Sequence, residues 1–412
     1  MKKIKVFILI AASTLLFTGC RRNASPIRDG KLPAGGEKAD LATSEGQEVM
    51  KTRLDAAAKV YDDLNLESVS ITSETSGIEV SVNAKVESKL YGNITLEEGL
   101  KGFGVKEEMK AAKDGKNVKA SASVKTTGGS LFIKGSLPGK EQGKTANIDA
   151  SLSLSGINAN AYLSGNKTYV DVSNSGNETF VKNVETFANN LLGQANESMY
   201  GEYTSMLGRI NYLDEVYNVS KKQFNFVDAY NKYFPDKKIA IPSGNYEWPT
   251  ISTRDLEELE KESSLSLDNI GEAIQMLKEM KIDLEFVTYK DESFGVTAAL
   301  GKDALKALVA NFTDNADNNW YNSLIDMVSG FTVNASAYFN KDNLLQSVGF
   351  AIDCEAKIDK SLLKYYGVDV STFDSYDMSY ALKGKETVNI KYNDVEVDLP
   401  DFSDYKEIKI EK

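Results

Sequence analysis

Between Ile78 and Glu87 every second residue is apolar: Ile78, Val80, Val82, Ala84 and Val86 alternate with Glu79, Ser81, Asn83, Lys85 and Glu87. Successive side chains of a strand point to opposite faces, so this run fits a strand with one face buried and the other wet. The pattern recurs in Val118-Ala120-Ala122-Val124, in Ala146-Ile148-Ala150-Leu152-Leu154 and in Ile157-Ala159-Ala161-Leu163. Gly128-Gly129, the turn from Pro138 to Lys144 and Gly156 separate these runs, and Gly165-Asn166 leads into Tyr169-Val170-Asp171-Val172. Short, glycine-rich separations predict an antiparallel meander.

A sheet with one apolar face needs a second layer. Ser44 and Gln47 have the spacing of a helix capping box, and Met50, Leu54, Ala57, Tyr61 and Leu64 follow at intervals of four and three, one stripe of an amphipathic helix. From about Glu178 to Met280 the period is mostly helical, with loops at Pro235, Pro242 to Asn245 and Pro249; Ile270, Ile274 and Leu277 form its clearest stripe. Strands return at 283–287 and 294–300, a helical stretch covers 302–327, and strands resume at 331–339 and 345–357. A short helix at 360–365 and closing strands at 376–382, 387–392 and 395–399 complete the reading. The expected class is α+β, one domain over 44–412 with a helical insertion at about 178–280. Two domains divided near Pro242 are the alternative.

The first twenty residues carry an address. Lys2, Lys3 and Lys5 precede an apolar stretch from Val6 to Phe17, too short for the roughly 20 residues of a spanning helix. Leu16-Phe17-Thr18-Gly19-Cys20 resembles the lipobox of bacterial lipoproteins. The resemblance implies cleavage before Cys20, with residues 1–19 a signal peptide and Cys20 the acylated, palmitate-type attachment site. A diacylglyceryl cysteine anchors stably because each buried CH₂ adds about 0.8 kcal/mol. The expected location is the cell membrane, lipid-anchored on its extracytoplasmic face, or the outer membrane if the host has two. Residues 20–43, rich in glycine and proline and without apolar period, read as a flexible tether.

Losing the three signal lysines takes the net charge from −12 to −15, which argues against nucleic acid and against a polybasic grip on anionic lipid. The chain has no histidine, which removes Ser-His-Asp and Cys-His nucleophile activation and imidazole zinc sites. An enzyme is therefore not expected, nor a cofactor or metal. With Cys20 acylated, Cys354 has no partner for a disulfide and reads as a small buried hydrophobe.

Short matches to catalytic or ligand motifs fail on spacing. Gly139-Lys140-Glu141-Gln142-Gly143-Lys144-Thr145 has three residues between its glycines where a phosphate-binding loop needs four. Ser164-Gly165-Asn166-Lys167 and Ser243-Gly244-Asn245 echo penicillin-binding enzymes, yet no Lys-Thr-Gly follows. Asp314-Asn315-Ala316-Asp317-Asn318-Asn319 lacks the sixth-position glycine of an EF-hand loop.

The order of elements, from lipobox through tether, helix, meander, inserted helices and a last strand entering Val397-Asp398-Leu399-Pro400, resembles the LolA/LppX-like lipoprotein superfamily. That likeness implies a curved antiparallel half-barrel sheet with helices covering its concave face, and an apolar cleft between them for a lipid-like ligand. Small inward positions point the same way. Val80, Val82, Ala120, Ala122, Ala159, Ala161, Ala335 and Ala337 are the expected cleft lining, and the space they leave is either filled by helices or open to a ligand.

Aromatic residues gather between Tyr200 and Trp248. They either fill the interface between helices and sheet or form an exposed patch for a glycan or protein partner, centred on Tyr246 and Trp248 in their proline-bounded loop. The expected function is thus a membrane-anchored lipoprotein holding an apolar ligand. The alternative is a surface adhesion or interaction lipoprotein with a filled interior.

Overall fold

The computed structural model describes residues 26–408 except 62–63, 89–91, 142, 199–215, 219, 245, 249–269, 313–324, 366 and 368. Cys20 and the acidic stretch 314–319 lie outside the described residues.

Three long strands dominate the N-terminal half, β2 (Ser68–Ser88), β3 (Gly92–Asp114) and β4 (Asn117–Pro138), after a two-residue β1 (Glu37–Lys38). They are followed by β5 (Thr145–Ser153), β6 (Asn158–Ser164) and β7 (Lys167–Asp171). Later strands are the paired β8 (Tyr217–Asn218) and β9 (Gln223–Phe224), then β10 (Lys238–Pro242), β11 (Ile282–Thr288), β12 (Phe294–Gly301), β13 (Val328–Phe339), β14 (Leu345–Ile358), β15 (Phe373–Tyr392) and β16 (Lys406–Glu407). Fourteen of these form one sheet in the order β1-β11-β12-β13-β14-β15-β2-β3-β4-β6-β7-β10-β16, with β5 beside β4. The early and late strand blocks join where β15 runs antiparallel to β2, from Phe373 opposite Ser88 to Tyr392 opposite Val69. Among the described strands only β16, alongside β10, is parallel to its neighbour.

Helices are few: α1 (Ser44–Lys59), α2 (Ser175–Asn196), α3 (Phe226–Tyr233), α4 (Ile270–Glu279), α5 (Lys302–Phe312) and α6 (Lys360–Tyr365) among the described residues. The expected α+β half-barrel with a helical cover is corrected by this arrangement. The protein is chiefly a large, open, mixed sheet; α1, α4 and α5 sit at one flank, α2 with α3 at the other, and the short α6 links β14 to β15. On β11 and β12, Phe286 and Phe294 are fully buried among Met50 and Ala57 of α1 and Ile270 and Ile274 of α4. Ala304 of α5 and Leu277 of α4 pack with Ala298 and Ile282. At the other flank α2 lies on β5, where Ala146, Ile148, Ala150 and Leu152 are all buried. Gln194 of α2 fixes it there, accepting from the Asp149 N–H at 2.9 Å and donating to the Asp149 carbonyl at 3.0 Å. Alternation in the sequence reports one apolar face per strand, but not which strands receive a helix. The region expected to be a helical insertion also contributes β8, β9 and β10.

Two chain ends lie across the opposite, polar face. Residues from Ile27 onward, assigned by sequence to the tether, are docked: Ile27 is 1% exposed, Gly30 accepts from Ser336 Oγ at 2.6 Å, and Pro33 accepts from Tyr289 OH at 2.9 Å. The reason is steric fit. Gly349 and Gly295 leave room on that face, and a Cβ there would collide with Ile27 and Leu32 respectively. Past β15, the Val395 N–H donates to Ser68 Oγ, and Phe402 stacks on Tyr169 at 3.7 Å before the chain adds β16. Serines at 68, 70, 336 and 347 are consequently buried.

A crease crosses the long strands at one level. The pairing of β2 with β3 shifts register between Thr75 and Val80, that of β3 with β4 between Lys101 and Val105, and that of β15 with β2 between Lys383 and Lys385. In the same line β4 exchanges partners, from β6 up to Lys125 to β5 from Ser130. Gly77, Gly102 and Gly129 occupy it with φ of 61°, 63° and 117°. Bulges of this kind bend a strand and sharpen its twist, and positive φ is where glycine costs least.

Candidate functional site

Pairing across strands assigns every side chain to a face. Ala120 lies opposite Leu163, Ala122 opposite Ala161, and Val124 opposite Ala159. The row through Ala337 runs by way of Val348, Val388, Ser73, Glu107 and Val124 to Ala159, and Ala335 follows two residues away on the same face. On the far side of the crease Val80 stands opposite Leu382, and Val82 opposite Tyr380. Leu382 is in turn opposite Cys354 and Tyr380 opposite Ala356, four and six residues beyond Phe350, the partner of Ala335. All eight expected lining residues therefore share one face.

Beyond them that face is mostly apolar, with Ser73 and Glu107 as polar members of the row just traced. One row reads Ile390, Ile71, Met109, Ala122, Ala161, Val170 and Ile239 from β15 to β10. Each of the eight is half-buried, while Val124 and Phe350 on the same face are 41% and 38% exposed. Among the described residues, neither hydrophobic cluster beneath the flanking helices includes a residue of β2 to β7, β14 or β15. Small side chains on a sheet raise little relief, so a broad, low apolar floor lies between the two helical flanks. Cys354 belongs to it; burial first, and then Asp353 and Glu355, push its thiol up.

The polar cavities lie elsewhere. A cleft of about 1030 Å³ opens at the strand ends and is lined by Asn65, Glu67, Lys113, Lys119, Asp394 and Glu396 among others. A smaller one, about 280 Å³, sits over Asn83, Lys85, Glu97 and Asp377. None of the eight lining residues touches either.

Tyr246 and Trp248 do not form one surface patch. Tyr246 is 54% exposed, whereas Trp248 is half-buried and donates its Nε1–H to the Leu66 carbonyl at 2.7 Å. Their segment is tied to the β3–β4 hairpin, with the Val118 N–H donating to Tyr246 O and the Trp248 N–H to Lys116 O. Trp248 thus fastens the loop, and Tyr246 alone faces solvent.

Of the motifs that failed on spacing, Gly139 to Lys144 is the β4–β5 turn, closed by the Gly139 N–H donating to Lys144 O at 2.9 Å. Ser164 to Lys167 is the β6–β7 turn, and Ser243 donates its N–H to Asn166 O beside it. The lysine of that turn, Lys167, is engaged by Glu407 at 2.8 Å. Among the described residues no cluster of three or more Cys, Asp or Glu side chains could hold a metal ion.

Sequence reasoning missed the polar cleft, because its walls come from residues 64–68, 112–119 and 393–396. Only the register of β2, β3 and β15 brings those segments together.

No family model matches the chain, and no curated protein does. A solved structure of a β-barrel-like protein of a domain of unknown function, DUF1849, from Brucella abortus is similar over 77% of this chain and 99% of that one, at 9% identity and a TM-score of 0.12. At that score the likeness says nothing about fold or activity here.

Proposed function

We propose that this chain is an extracytoplasmic lipoprotein, anchored through Cys20, that holds an apolar, acyl-chain-like ligand against the apolar face of its sheet. The observation that supports it is the convergence of Val80, Val82, Ala120, Ala122, Ala159, Ala161, Ala335 and Ala337 on one half-buried face between two helical flanks. The alanines and valines offer area to a flexible chain, which would have to run past Ser73, Glu107 and Glu386 on the same face without covering their polar groups. The ligand lies along the floor rather than in a closed chamber, and needs no catalytic group.

Native mass spectrometry of protein purified without detergent tests the reading: a retained apolar mass is expected. Ala159→Leu with Ala161→Leu should remove that mass while the protein stays folded. A bare apo mass from wild type, or an unchanged ligand in the double variant, refutes it. The anchor is tested by Cys20→Ser, which should move the protein from the membrane to the soluble fraction.

A further inference from the structure

The apolar floor carries charge of essentially one sign. Across β2, β3, β4, β14 and β15 the charged residues that pairing places on this face, among the described residues, are Glu98, Glu107 and Glu386, with Lys113 at the end of β3. Glu107 lies between Ser73 and Val124 in one row, and Glu386 between Phe350 and Thr75 in the next. Glu98, beyond the crease, lies between Val82 and Ile133. Lys113 is far down β3 from Glu107, roughly 20 Å at the rise of a strand, and so more than about two screening lengths away at physiological salt.

The polar face treats its acids differently. There Glu74 meets Lys106 at 3.4 Å, and Lys383 meets Asp353 and Glu355 at 3.4 and 3.0 Å. On the apolar face, none of Glu98, Glu107 and Glu386 makes an ion pair among the described residues. Glu386 is nonetheless held in place, because Ser73, itself 1% exposed, donates its Oγ–H to Glu386 Oε1 at 2.8 Å. All three glutamates are half-buried. Directly opposite two of them stand exposed apolar side chains, Phe350 beside Glu386 and Val124 beside Glu107. Apolar contact surface and unneutralised carboxylates therefore share the same two rows.

That combination decides what such a surface accepts. A hydrocarbon chain laid over the glutamates would strip them of water without giving them a partner, which costs more than covering a few methylenes returns. A head group that donates hydrogen bonds supplies the partner. A head that is itself anionic adds like-charge repulsion where half-burial weakens screening by water.

We infer that Glu107 and Glu386 set the head-group specificity of the floor: they admit amphiphiles whose head donates hydrogen bonds and bears no negative charge, such as an alkyl alcohol or alkylammonium, and turn away fatty carboxylates and other anionic lipids. This specificity rests on the floor being a ligand surface, as proposed for its alanines and valines.

Equilibrium dialysis of the soluble form beginning at Arg21 against dodecanol, dodecylammonium and dodecanoate, chains alike except in the head, is the test. In the wild type dodecanoate should bind about tenfold more weakly than the other two. Glu107→Gln with Glu386→Gln should bring dodecanoate to within about threefold of dodecanol and weaken dodecylammonium. Glutamine keeps an oxygen that accepts from Ser73, and thermal melting of the variant is the control for folding. A merely structural role for the two glutamates would shift all three probes alike. Dodecanoate bound by the wild type as tightly as dodecanol overturns the inference, as does undiminished discrimination in the double variant, and in either case the floor remains a ligand surface. Failure of all three probes to bind overturns the floor as a ligand surface and the specificity with it.

Discussion

The phenol of Tyr61, two residues past helix α1, lies 3.1 Å from the phenol of Tyr392, the last residue of β15, with their rings edge to face at 6.0 Å. The contact links the helical flank to the middle of the sheet across 331 residues of sequence. Tyr61 also accepts from the Leu345 N–H at 3.1 Å, so its oxygen serves two partners. Removing that oxygen leaves a backbone donor unpaired, whereas removing the Tyr392 hydroxyl does not. Tyr61→Phe should therefore cost about 1–3 kcal/mol and Tyr392→Phe about 0.5–1.5 kcal/mol. Urea denaturation that ranks the two in the opposite order would show that the pair is not coupled as described.

Stability should fall at high pH, beginning near the ordinary phenol range. Burial, then neighbouring Tyr338 and Asp291, push Tyr289 up to about 12. Burial, with Tyr61 beside it, pushes Tyr392 up as well. A phenol that holds its proton more tightly in the folded chain contributes fully below its unfolded pKa of about 10, and that contribution is lost as pH rises through the folded value. The urea midpoint should decline between pH 10 and about 12, and Tyr289→Phe should flatten the decline. An identical slope in the variant would discard the assignment.

Gly349 is a test of the docked N-terminal segment. A Cβ at this position would collide with Ile27 Cγ2, and also lie 3.2 Å from Gly30 Cα. Gly349→Ala should release residues 26–33 from the polar face without disturbing the strand itself, since an extended backbone accepts alanine. Limited proteolysis is expected to cut near Arg28 and Lys31 in the variant and to spare them in wild type. Equal protection in both would mean the segment accommodates the methyl group.

Cys354 should react slowly. Its thiol is half-buried and pushed up by burial and by the carboxylates of Asp353 and Glu355, which disfavour the thiolate that performs alkylation. In a soluble form beginning at Arg21, iodoacetamide at pH 8 should modify it well below the rate of free cysteine, and at the free rate in urea. Native-state labelling as fast as in urea would place the thiol in open solvent.

The strands were legible because period two is written residue by residue. The alternation around Val80, Ala120 and Ala159 identified the apolar side of three strands before any pairing was known, and pairing put those sides together. The helical cover was not legible. Met50 and Ile274 announce amphipathic helices, but nothing in their spacing says that they pack on Phe286 and Phe294 at one flank instead of on the central strands. Serines 68, 70 and 347 are buried on the polar face, and no sequence pattern announces it, because part of what covers that face comes from the segments flanking the strands, as where the Val395 N–H donates to Ser68 Oγ. Likewise Ile27 and Leu32, isolated among glycines and prolines, carry no period, yet each fills a gap left by a glycine more than 200 residues away in sequence. The polar cleft was hidden for the same reason: register, not composition, assembles it.

The line of glycines at 77, 102 and 129 has a mechanical meaning. Bulges there bend β15, β2, β3 and β4, whereas β13 and β14 pair straight past the same level. The alanine floor and the Val80–Val82 end of the same face therefore meet at an angle, and an extended cargo long enough to touch both would have to bend where the strands do.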